Sequence, residues 1–330
     1  MIYRSKAPLR ISFSGGGTDI EPYVSEFGGC VISTTINKYV YATLKPREDK
    51  EITIYSKDLG VTEKFTYVVD GELKIVKSVM IYMNMLKEFT EGFDLYIESD
   101  VPVGSGLGLS SSLSVCLIEL FCKYLGINNY SKDNIAHLAY YIERKILGIK
   151  GGYQDQFATS FGGFNYITFE KENIVVNPLR IKDNFINELE NNLVLCYTGI
   201  TRVGEDIIEK QINSYKNNFE YLHEIKELVY KMRIEISNNN LIRFSELFGE
   251  TWNIKKKLTS GITTLRIDKL CKVGLNNGAS GVRNCGAGGG GYLLFYCPND
   301  KDLLKNALTE IGGTILDFHF ENRGVQSWSI

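Results

Sequence analysis

The 330-residue chain is 44% hydrophobic and 23% charged, and its 37 basic and 39 acidic residues leave a formal net charge of −2. These values are typical of a globular protein long enough for two domains, and a nearly neutral chain without a long basic run is not expected to bind nucleic acid as its main ligand. The seven cysteines form no CxxC pair, no segment approaches the ~18 apolar residues of a membrane helix, and the N-terminus MIYRSKAPLRIS has no apolar signal core. We therefore expect a cytoplasmic protein without a membrane partner, present as a monomer or a homodimer.

The first part of the chain has the pattern of an antiparallel sheet. Residues 2–13 are predicted to form a strand that enters the loop Ser14–Asp19. Helical periodicity predicts a helix over Ile75–Phe89, and alternating polarity predicts a strand over Phe93–Ile97. Between the loop and this helix, four more strands are predicted: Cys30–Ile36, Tyr39–Leu44, Glu51–Tyr55 and Thr62–Tyr67.

A glycine-rich loop, VPVGSGLGLSSS at residues 101–112, precedes an apolar segment, Leu113–Leu125, that is predicted to be a helix. Glycine lets a ligand approach the main chain closely, and the free N–H groups at a helix N-terminus bind phosphate. The serines at the start of the helix, Ser110–Ser112, are suited to cap it or to contact phosphate oxygens or a metal ion. The loop alone is equally compatible with a simple turn before a core helix.

A second helix is predicted over Ser131–Leu147, with Ser131 as its N-cap. The polar turn GIKGGYQDQ at residues 148–156 follows it and leads into a short helix. Alternating polarity then predicts a strand at Phe164–Phe169.

The polar and irregular region Glu170–Lys182 is interpreted as the boundary between two domains, residues 1–175 and residues 176–330. In the second domain, the glycine-rich segment Gly286–Gly291 leads into an apolar strand. Strands and helices are mixed in both halves without regular βαβ alternation, which predicts an α+β protein. Strands are predicted at Leu193–Tyr197, Tyr292–Cys297, Thr314–Phe320 and Val325–Ser329, and helices near Val203–Ser214, Phe219–Ser237, Leu241–Leu258, Thr264–Asn276 and Asp300–Ile311.

Two common nucleotide-binding motifs are excluded. The P-loop pattern GxxxxGK[ST] is absent from the sequence. Gly286, Gly288 and Gly291 satisfy GxGxxG, but a dinucleotide fingerprint opens a helix, whereas these glycines lead into the strand YLLFYC. A Rossmann fold is therefore not predicted.

Four segments, taken in order, resemble the motifs of the GHMP kinases, the superfamily of galactokinase, homoserine kinase, mevalonate kinase and phosphomevalonate kinase. They are APLRISFSGGGTD (Ala7–Asp19), PVGSGLGLSSS (Pro102–Ser112), ERKILGIKGGYQDQ (Glu143–Gln156) and CGAGGGG (Cys285–Gly291). Within that superfamily, the first segment and GIKGGYQDQ look closest to the sugar kinases that act on D-glycero-D-manno-heptose 7-phosphate.

The resemblance implies a fold and an activity. It implies an α+β N-terminal domain with a left-handed βαβ crossover, a ferredoxin-like C-terminal domain, and ATP with Mg²⁺ in the cleft between them. The implied reaction phosphorylates the anomeric hydroxyl of the heptose 7-phosphate, a small-molecule sugar phosphate, to the 1,7-bisphosphate. That product would serve the synthesis of nucleotide-activated heptose and surface polysaccharide.

The resemblance also implies roles for individual residues. Asp155 matches the catalytic aspartate, Arg10 the basic residue paired with it, and Ser110 and Glu143 the Mg²⁺ ligands. The family usually has serine where this chain has Leu109. Residues matching the nucleotide-phosphate loop are Gly104, Ser105, Gly106, Leu107, Gly108, Ser110, Ser111 and Ser112. Residues matching the sugar side are Gly15, Gly16, Gly17, Thr18, Asp19, Gly152, Gly286, Ala287 and Gly288.

These roles agree with general chemistry, because phosphoryl transfer depends on positioning and charge neutralisation, and a carboxylate can accept the proton of the attacking hydroxyl. Taken singly, each residue also has an ordinary interpretation. Asp155 could cap a helix, Glu143 could be an exposed helix charge, and Arg10 could be a surface cation on an edge strand.

The phosphate that the sugar already carries needs a cation, and arginine suits phosphate best. The leading candidate is Arg202 in TGITRVGED, with Lys150 and Arg180 as second choices. An exposed cation near Glu205 and Asp206 is an equally acceptable interpretation of Arg202.

Two other functions remain open. One is the same chemistry on fucose, galactose or another hexose. The other is a non-catalytic sensor of sugar and ATP, which need not retain Arg10, Ser110, Glu143 and Asp155.

Overall fold

The computed structural model describes residues 1–66, 72–171, 173–201 and 204–330. In this part of the chain, the strands form one sheet of nine and one of four, with helices packed against both. The strands are β1 (Tyr3–Ser14), β2 (Gly29–Pro46), β3 (Ile52–Ser56), β4 (Val61–Phe65), β5 (Phe93–Ser99), β6 (Asn165–Glu170), β7 (Asn173–Pro178), β8 (Leu193–Tyr197), β9 (Gly281–Asn284), β10 (Tyr292–Tyr296), β11 (Thr314–Leu316), β12 (Phe320–Glu321) and β13 (Gln326–Ser329).

Eleven α-helices and one π-helical segment, Tyr141–Ile146, accompany these strands in the described ranges. No helix there is long and apolar enough to span a membrane. The α-helices are α1 (Tyr23–Phe27), α2 (Lys74–Leu86), α3 (Leu109–Leu125), α4 (Lys132–Tyr140), α5 (Gln154–Phe161), α6 (Asp183–Asn192), α7 (Glu205–Asn213), α8 (Tyr215–Ser237), α9 (Leu241–Lys255), α10 (Leu265–Asn276) and α11 (Lys301–Glu310).

The large sheet runs in the order β13–β1–β2–β5–β3–β4, with β6 and β12 also paired to β2, and β7 paired to β6. The predicted strands Cys30–Ile36 and Tyr39–Leu44 are one strand, β2. The break between them is an irregularity in the pairing with β1, where Pro8 faces Tyr39 and Leu9 faces Ile36. Such a bulge bends a strand without ending it.

The pair β3 and β5 is parallel, with Ile52 facing Phe93, so β4 and α2 together form a crossover connection. α2 packs against α3, and α3 packs against β1 and β2. The buried side chains of Met80, Phe93 and Phe121 belong to the core between these helices and the sheet. The left-handed sense of the crossover remains a prediction.

The small sheet has the order β11–β8–β10–β9, and every pair in it is antiparallel. Its four strands and the helices between them follow one another as βαββαβ. This sequence of elements with this strand order is the ferredoxin-like arrangement, so the predicted α+β class with a ferredoxin-like second unit is confirmed.

The second predicted helix, Ser131–Leu147, is divided into two parts. Ser131 is the N-cap, as predicted, because its hydroxyl accepts a hydrogen bond from Asn134 N–H and its own backbone N–H donates to Asn134 Oδ1. After α4 the helix widens into the π-helical segment, which holds Glu143 fully buried. π-helical turns inside helices are frequent at functional sites.

Two further regions differ from the expectation. The region Glu170–Lys182 is not irregular throughout, because β7 forms a hairpin with β6, with Asn165 facing Pro178. The last strands, β12 and β13, return to the large sheet and pair with β2 and β1. The division into residues 1–175 and 176–330 remains a proposal, and these two strands lie on the first sheet.

Candidate active site

The predicted motifs meet in a cleft with a volume of about 540 Å³. One wall comes from β1, the start of α3 and the turn before α5. The other comes from α7, α9 and the end of β9. The cleft therefore lies between the two sheets, where segments distant in sequence converge.

The glycine loop shapes one end of the cleft. Gly104, Gly106 and Gly108 have positive φ values of 78°, 75° and 81°, which non-glycine residues rarely adopt. α3 begins directly afterwards, so its N-terminus faces the cleft, as predicted. The third glycine motif supports this loop, because a Cβ atom on Gly286 would lie 2.8 Å from Gly106 Cα, and Tyr292 N–H donates to Ser105 O at 3.0 Å.

Arg10 and Asp155 form a bidentate ion pair in the cleft. Arg10 Nε donates to Asp155 Oδ1 and Arg10 Nη2 to Oδ2, both at 2.7 Å. Burial by itself would raise the pKa of Asp155, but the charge and hydrogen bonds of Arg10 outweigh it and lower the pKa below its ordinary value. Asp155 is therefore ionised at neutral pH. Arg10 is only 4% exposed and lies on an interior strand, so it is not a surface cation.

The same guanidinium connects the glycine motifs. Arg10 Nη1 donates to Gly106 O at 2.8 Å and to Cys285 O at 3.3 Å. One side chain thus joins the first, second and third motifs to Asp155. Asp155 has no helix-capping bond, since the N-cap position of α5 is Tyr153.

Asp19 lies beside this pair. Its carboxylate accepts hydrogen bonds from Gly17 N–H at 3.0 Å and from Gln154 N–H at 3.1 Å. Burial is the main cause that raises its pKa, and the nearby Asp155 adds to it. A Cβ atom on Gly152 would lie 2.0 Å from Asp19 Oδ2, so only glycine lets this turn approach the carboxylate.

Glu143 is fully buried below the start of α3, which excludes an exposed helix charge. It accepts hydrogen bonds from Ser111 Oγ at 3.1 Å and Gln156 Nε2 at 3.2 Å, and it forms an ion pair with Arg144 at 3.2 Å. Burial raises its pKa, although Arg144 and the hydrogen bonds oppose that shift.

Ser110 Oγ and Glu143 Oε2 are 3.5 Å apart. A hydroxyl and one carboxylate are acceptable ligands for Mg²⁺ when phosphate oxygens and water complete its shell. Among the described residues, no group of three or more His, Cys, Asp or Glu side chains could hold a metal ion alone. The chemistry of these two oxygen donors therefore fits Mg²⁺ that arrives with a nucleotide.

The structure brings most predicted site residues to the cleft but not all. Leu107 is buried in the core, and Ser112 bonds to Pro8 O. Gly15 and Thr18 hold the first loop against Cys30, and Gly288 packs on Ile262. Arg202 lies outside the described residues. Predicted residues that line the cleft are Arg10, Gly16, Gly17, Asp19, Gly104, Ser105, Gly106, Gly108, Ser110, Ser111, Glu143, Lys150, Gly152, Asp155, Gly286 and Ala287.

Several cleft residues were not predicted. Ser12, Arg144, Lys255 and Arg283 line it, and their patterns in the sequence resemble those of ordinary strand and helix residues. Lys255 is one of three consecutive lysines, and nothing local distinguishes it from its neighbours. An apolar portion of the lining consists of Leu59, Ile75, Val103, Leu109, Leu113 and Ile149.

Comparison with known proteins agrees with this geometry. Residues 74–163 match the family of GHMP kinases N terminal domains, and residues 232–313 match GHMP kinases C terminal domains. The chain is 38% identical, over an alignment of 338 positions, to the D-glycero-alpha-D-manno-heptose 7-phosphate kinase of Campylobacter jejuni, and the alignment covers 99% of each chain. The chain therefore belongs to the GHMP kinase family.

Solved structures support the same assignment. A D-glycero-D-manno-heptose 1-phosphate kinase from Bacteroides thetaiotaomicron has a TM-score of 0.85 and 31% identity, covering 99% of both chains. A putative sugar kinase from Campylobacter jejuni has a TM-score of 0.83 and 37% identity, covering 100% of this chain and 98% of the other. The fold is thus shared along the full length with sugar kinases of this family.

Proposed function

We propose that this chain is an ATP-dependent, Mg²⁺-dependent kinase that phosphorylates the anomeric hydroxyl of D-glycero-D-manno-heptose 7-phosphate to give the 1,7-bisphosphate. The product would enter the synthesis of nucleotide-activated heptose and surface polysaccharide. The observation that carries the proposal is the full-length similarity to a heptose 7-phosphate kinase, together with the retained Arg10–Asp155 pair in the cleft.

Asp155 supplies the base. It accepts the proton of the anomeric hydroxyl as that oxygen bonds to the γ-phosphorus of ATP. The bond from this phosphorus to the bridging oxygen breaks, and ADP leaves with the electron pair. Arg10 keeps Asp155 ionised and oriented through its two 2.7 Å hydrogen bonds, and its charge stabilises the transferring group.

The glycine loop and the start of α3 receive the triphosphate. Their backbone N–H groups and the positive end of the helix dipole favour phosphate oxygens. Ser110 and Glu143 would hold Mg²⁺, which neutralises phosphate charge when bound. The apolar portion of the lining suits the flat face of a nucleotide base.

Retention of all four inferred catalytic and metal groups in one cleft argues against a non-catalytic sensor. The identity of the sugar needs its own test, because a structural relative is a heptose 1-phosphate kinase. The remaining alternatives are fucose, galactose and other hexoses.

The test is a substrate panel with ADP release coupled to a detectable reaction. The panel contains the heptose 7-phosphate, the heptose 1-phosphate, the unphosphorylated heptose, fucose and galactose. The heptose 7-phosphate should give the highest kcat/KM, and phosphorus NMR of its product should show the new phosphate on the anomeric carbon. A higher kcat/KM on any other sugar would replace the proposed substrate.

We also propose that the enzyme works in the cytoplasm, where ATP is abundant. All seven cysteines are buried and unpaired, which suits a reducing compartment.

A further inference from the structure

Four cationic side chains in the described residues are almost completely buried, and they fall into two classes. Arg10 is paired with Asp155, and Lys77 forms an ion pair with Glu63 at 2.5 Å. Lys255 and Arg283 are 5% and 1% exposed, and neither forms an ion pair with a carboxylate in the described ranges. Both of these uncompensated cations line the cleft.

A buried charge without a counter-charge is costly for a folded protein, which normally pairs it or neutralises it. Within the described part of the chain, Lys255 Nζ donates only to Gly286 O, at 2.6 Å, which leaves hydrogen-bonding capacity unused. Burial, with the charges of Arg283 and Arg10, lowers the pKa of Lys255 to about 7, although the Asp19 carboxylate acts in the opposite direction. An anion at this place would therefore restore a full charge to the lysine.

Two further donors near Lys255 have no partner among the described residues. Arg283 Nη1 and Ser12 Oγ are both buried and make no hydrogen bond there. Fully buried polar atoms are rarely left unsatisfied, and such atoms in a ligand cleft indicate a group that is still to arrive. Two donors without an acceptor and a lysine with unused hydrogen-bonding capacity, all in the wall of the same cleft, indicate an anionic ligand.

Gly16 leaves the space in which this ligand would fit. A Cβ atom on Gly16 would lie 3.7 Å from Lys255 Nζ and 4.0 Å from Ser12 Oγ, so the two donors face one point next to the first loop. The backbone of Gly16 does not have a positive φ, so its conformation does not require glycine. The absence of a side chain at Gly16 therefore leaves room in the cleft and is not required by the backbone conformation.

Lys255 also lies close to the inferred catalytic pair, Arg10 and Asp155. Arg10 Nη1 contacts Cys285 O, and Lys255 Nζ contacts Gly286 O, which belong to consecutive residues with Cα atoms about 3.8 Å apart. Lys255 thus lies close to the Arg10–Asp155 pair. A phosphate carried on the same molecule as the reacting hydroxyl fits this arrangement.

We propose that Lys255, Arg283 and Ser12 form an anion subsite that receives the phosphate group already present on the sugar substrate, with Gly16 providing the space for it. This inference rests on the proposed function and assigns the substrate phosphate to α9, β9 and β1 rather than to Arg202, Lys150 or Arg180.

The test compares kcat/KM for the heptose 7-phosphate and for the unphosphorylated heptose. Lys255→Met removes the charge and keeps the length of the side chain, and Gly16→Ala fills the space without a severe contact. Each should lower kcat/KM on the phosphorylated sugar by about 10–100-fold, the range for a lost charged hydrogen bond. Selectivity is measured with Lys255→Met, which should change little on the unphosphorylated sugar. Lys272→Met, at an exposed lysine of α10, is the matched control and should leave both values unchanged.

Equal losses on both sugars, or no loss with either variant, would overturn the subsite. A selective rise in the KM for ATP would also overturn it, because the anion would then be a phosphate of the donor.

A second measurement does not depend on turnover. Inorganic phosphate should raise the thermal unfolding midpoint of the wild type more than that of Lys255→Met, and equal shifts would contradict the subsite. If the wild type shows the larger shift but does not phosphorylate the heptose 7-phosphate, the subsite stands and the proposed substrate fails. If turnover is normal but the variants show no selectivity, the proposed function stands and the subsite fails.

Discussion

Lys77 on α2 and Lys255 on α9 are both 5% exposed, but of the two only Lys77 forms an ion pair with a carboxylate of the described residues, Glu63 at 2.5 Å. Lys77 lies beside the large sheet, in a packed region where another side chain of the protein supplies the counter-charge. Lys255 lies in the cleft wall, where Arg283 is also uncompensated. The packed region balances this buried charge internally, whereas the cleft wall contains two buried cations that form no ion pair with the described residues.

The Arg10–Asp155 pair tests this comparison most strongly, because it is compensated like Lys77 but lies in the cleft. If it is catalytic, Asp155→Asn should lower kcat by about 10²–10⁴-fold, since asparagine cannot accept the proton. ATP affinity, measured by calorimetry, should change little. A variant that is less stable but has near-normal kcat would show that the pair is only structural.

Substitutions of Glu143 and Ser110 should produce the next largest effect, on the Mg²⁺ requirement of the reaction. Glu143→Gln and Ser110→Ala should each raise the Mg²⁺ concentration for half-maximal rate by about 10-fold or more, because each removes an inferred oxygen ligand. The measurement is a Mg²⁺ titration at saturating ATP. Ser237→Ala, at an exposed serine of α8, is the control. Unchanged titration curves for both cleft variants would remove these residues from the metal site.

Substitution by methionine should change the free energy of unfolding in opposite directions at the two lysines. Lys77→Met leaves Glu63 without its partner and should destabilise the fold by about 1–3 kcal/mol, because Glu63 is mostly but not completely shielded from water. Lys255→Met removes an uncompensated buried charge and should raise the unfolding midpoint. Chemical denaturation of both variants measures this, and destabilisation of equal size would abolish the distinction between the two regions.

The stability gain of Lys255→Met should depend on pH. The pKa of Lys255 is lowered from 10.5 in a model compound to about 7 in the fold, so the unfolded chain binds more protons between these values. The contribution of Lys255 to the free energy of unfolding of the wild type therefore rises as the pH increases between these two pKa values. The advantage of the variant should be largest at pH 7 and below and should shrink toward pH 9. A gap that stays constant or widens would show that the lysine is not perturbed.

Substitution of Leu109 should have the smallest effect on stability and on ATP affinity. The family usually has serine here, but Leu109 is the first residue of α3 and its half-buried side chain packs against the core. Leu109→Ser should therefore cost about 1 kcal/mol of stability, roughly half of full burial of a leucine. ATP affinity should change less than about threefold, since the backbone N–H groups at the start of α3 remain. A large loss of affinity would show that the leucine shapes the nucleotide site directly.

The elements of the fold were predictable where hydrophobic periodicity was strong. The strand Leu193–Tyr197 has the same bounds in the structure, and Ser131 caps its helix, because these features depend on local propensity and capping. β7 was not predicted because its side chains alternate between exposed and half-buried and its pairing with β6 is what makes it a strand. The return of β12 and β13 to the first sheet is a long-range contact that no local pattern encodes.

The sequence by itself determined the order of the motifs and the kinase family, because glycines with positive φ and the paired Arg10 and Asp155 are chemically restrictive and recognisable one segment at a time. Only the tertiary structure showed that Leu107, Ser112 and Thr18 face away from the cleft and that Lys255 faces into it. Lys255, Lys256 and Lys257 are consecutive and chemically identical, and the sequence cannot say which of them is buried. Burial depends on where α9 meets the loops of the other half, and this packing buries Lys255 in the cleft wall while Lys257 stays exposed.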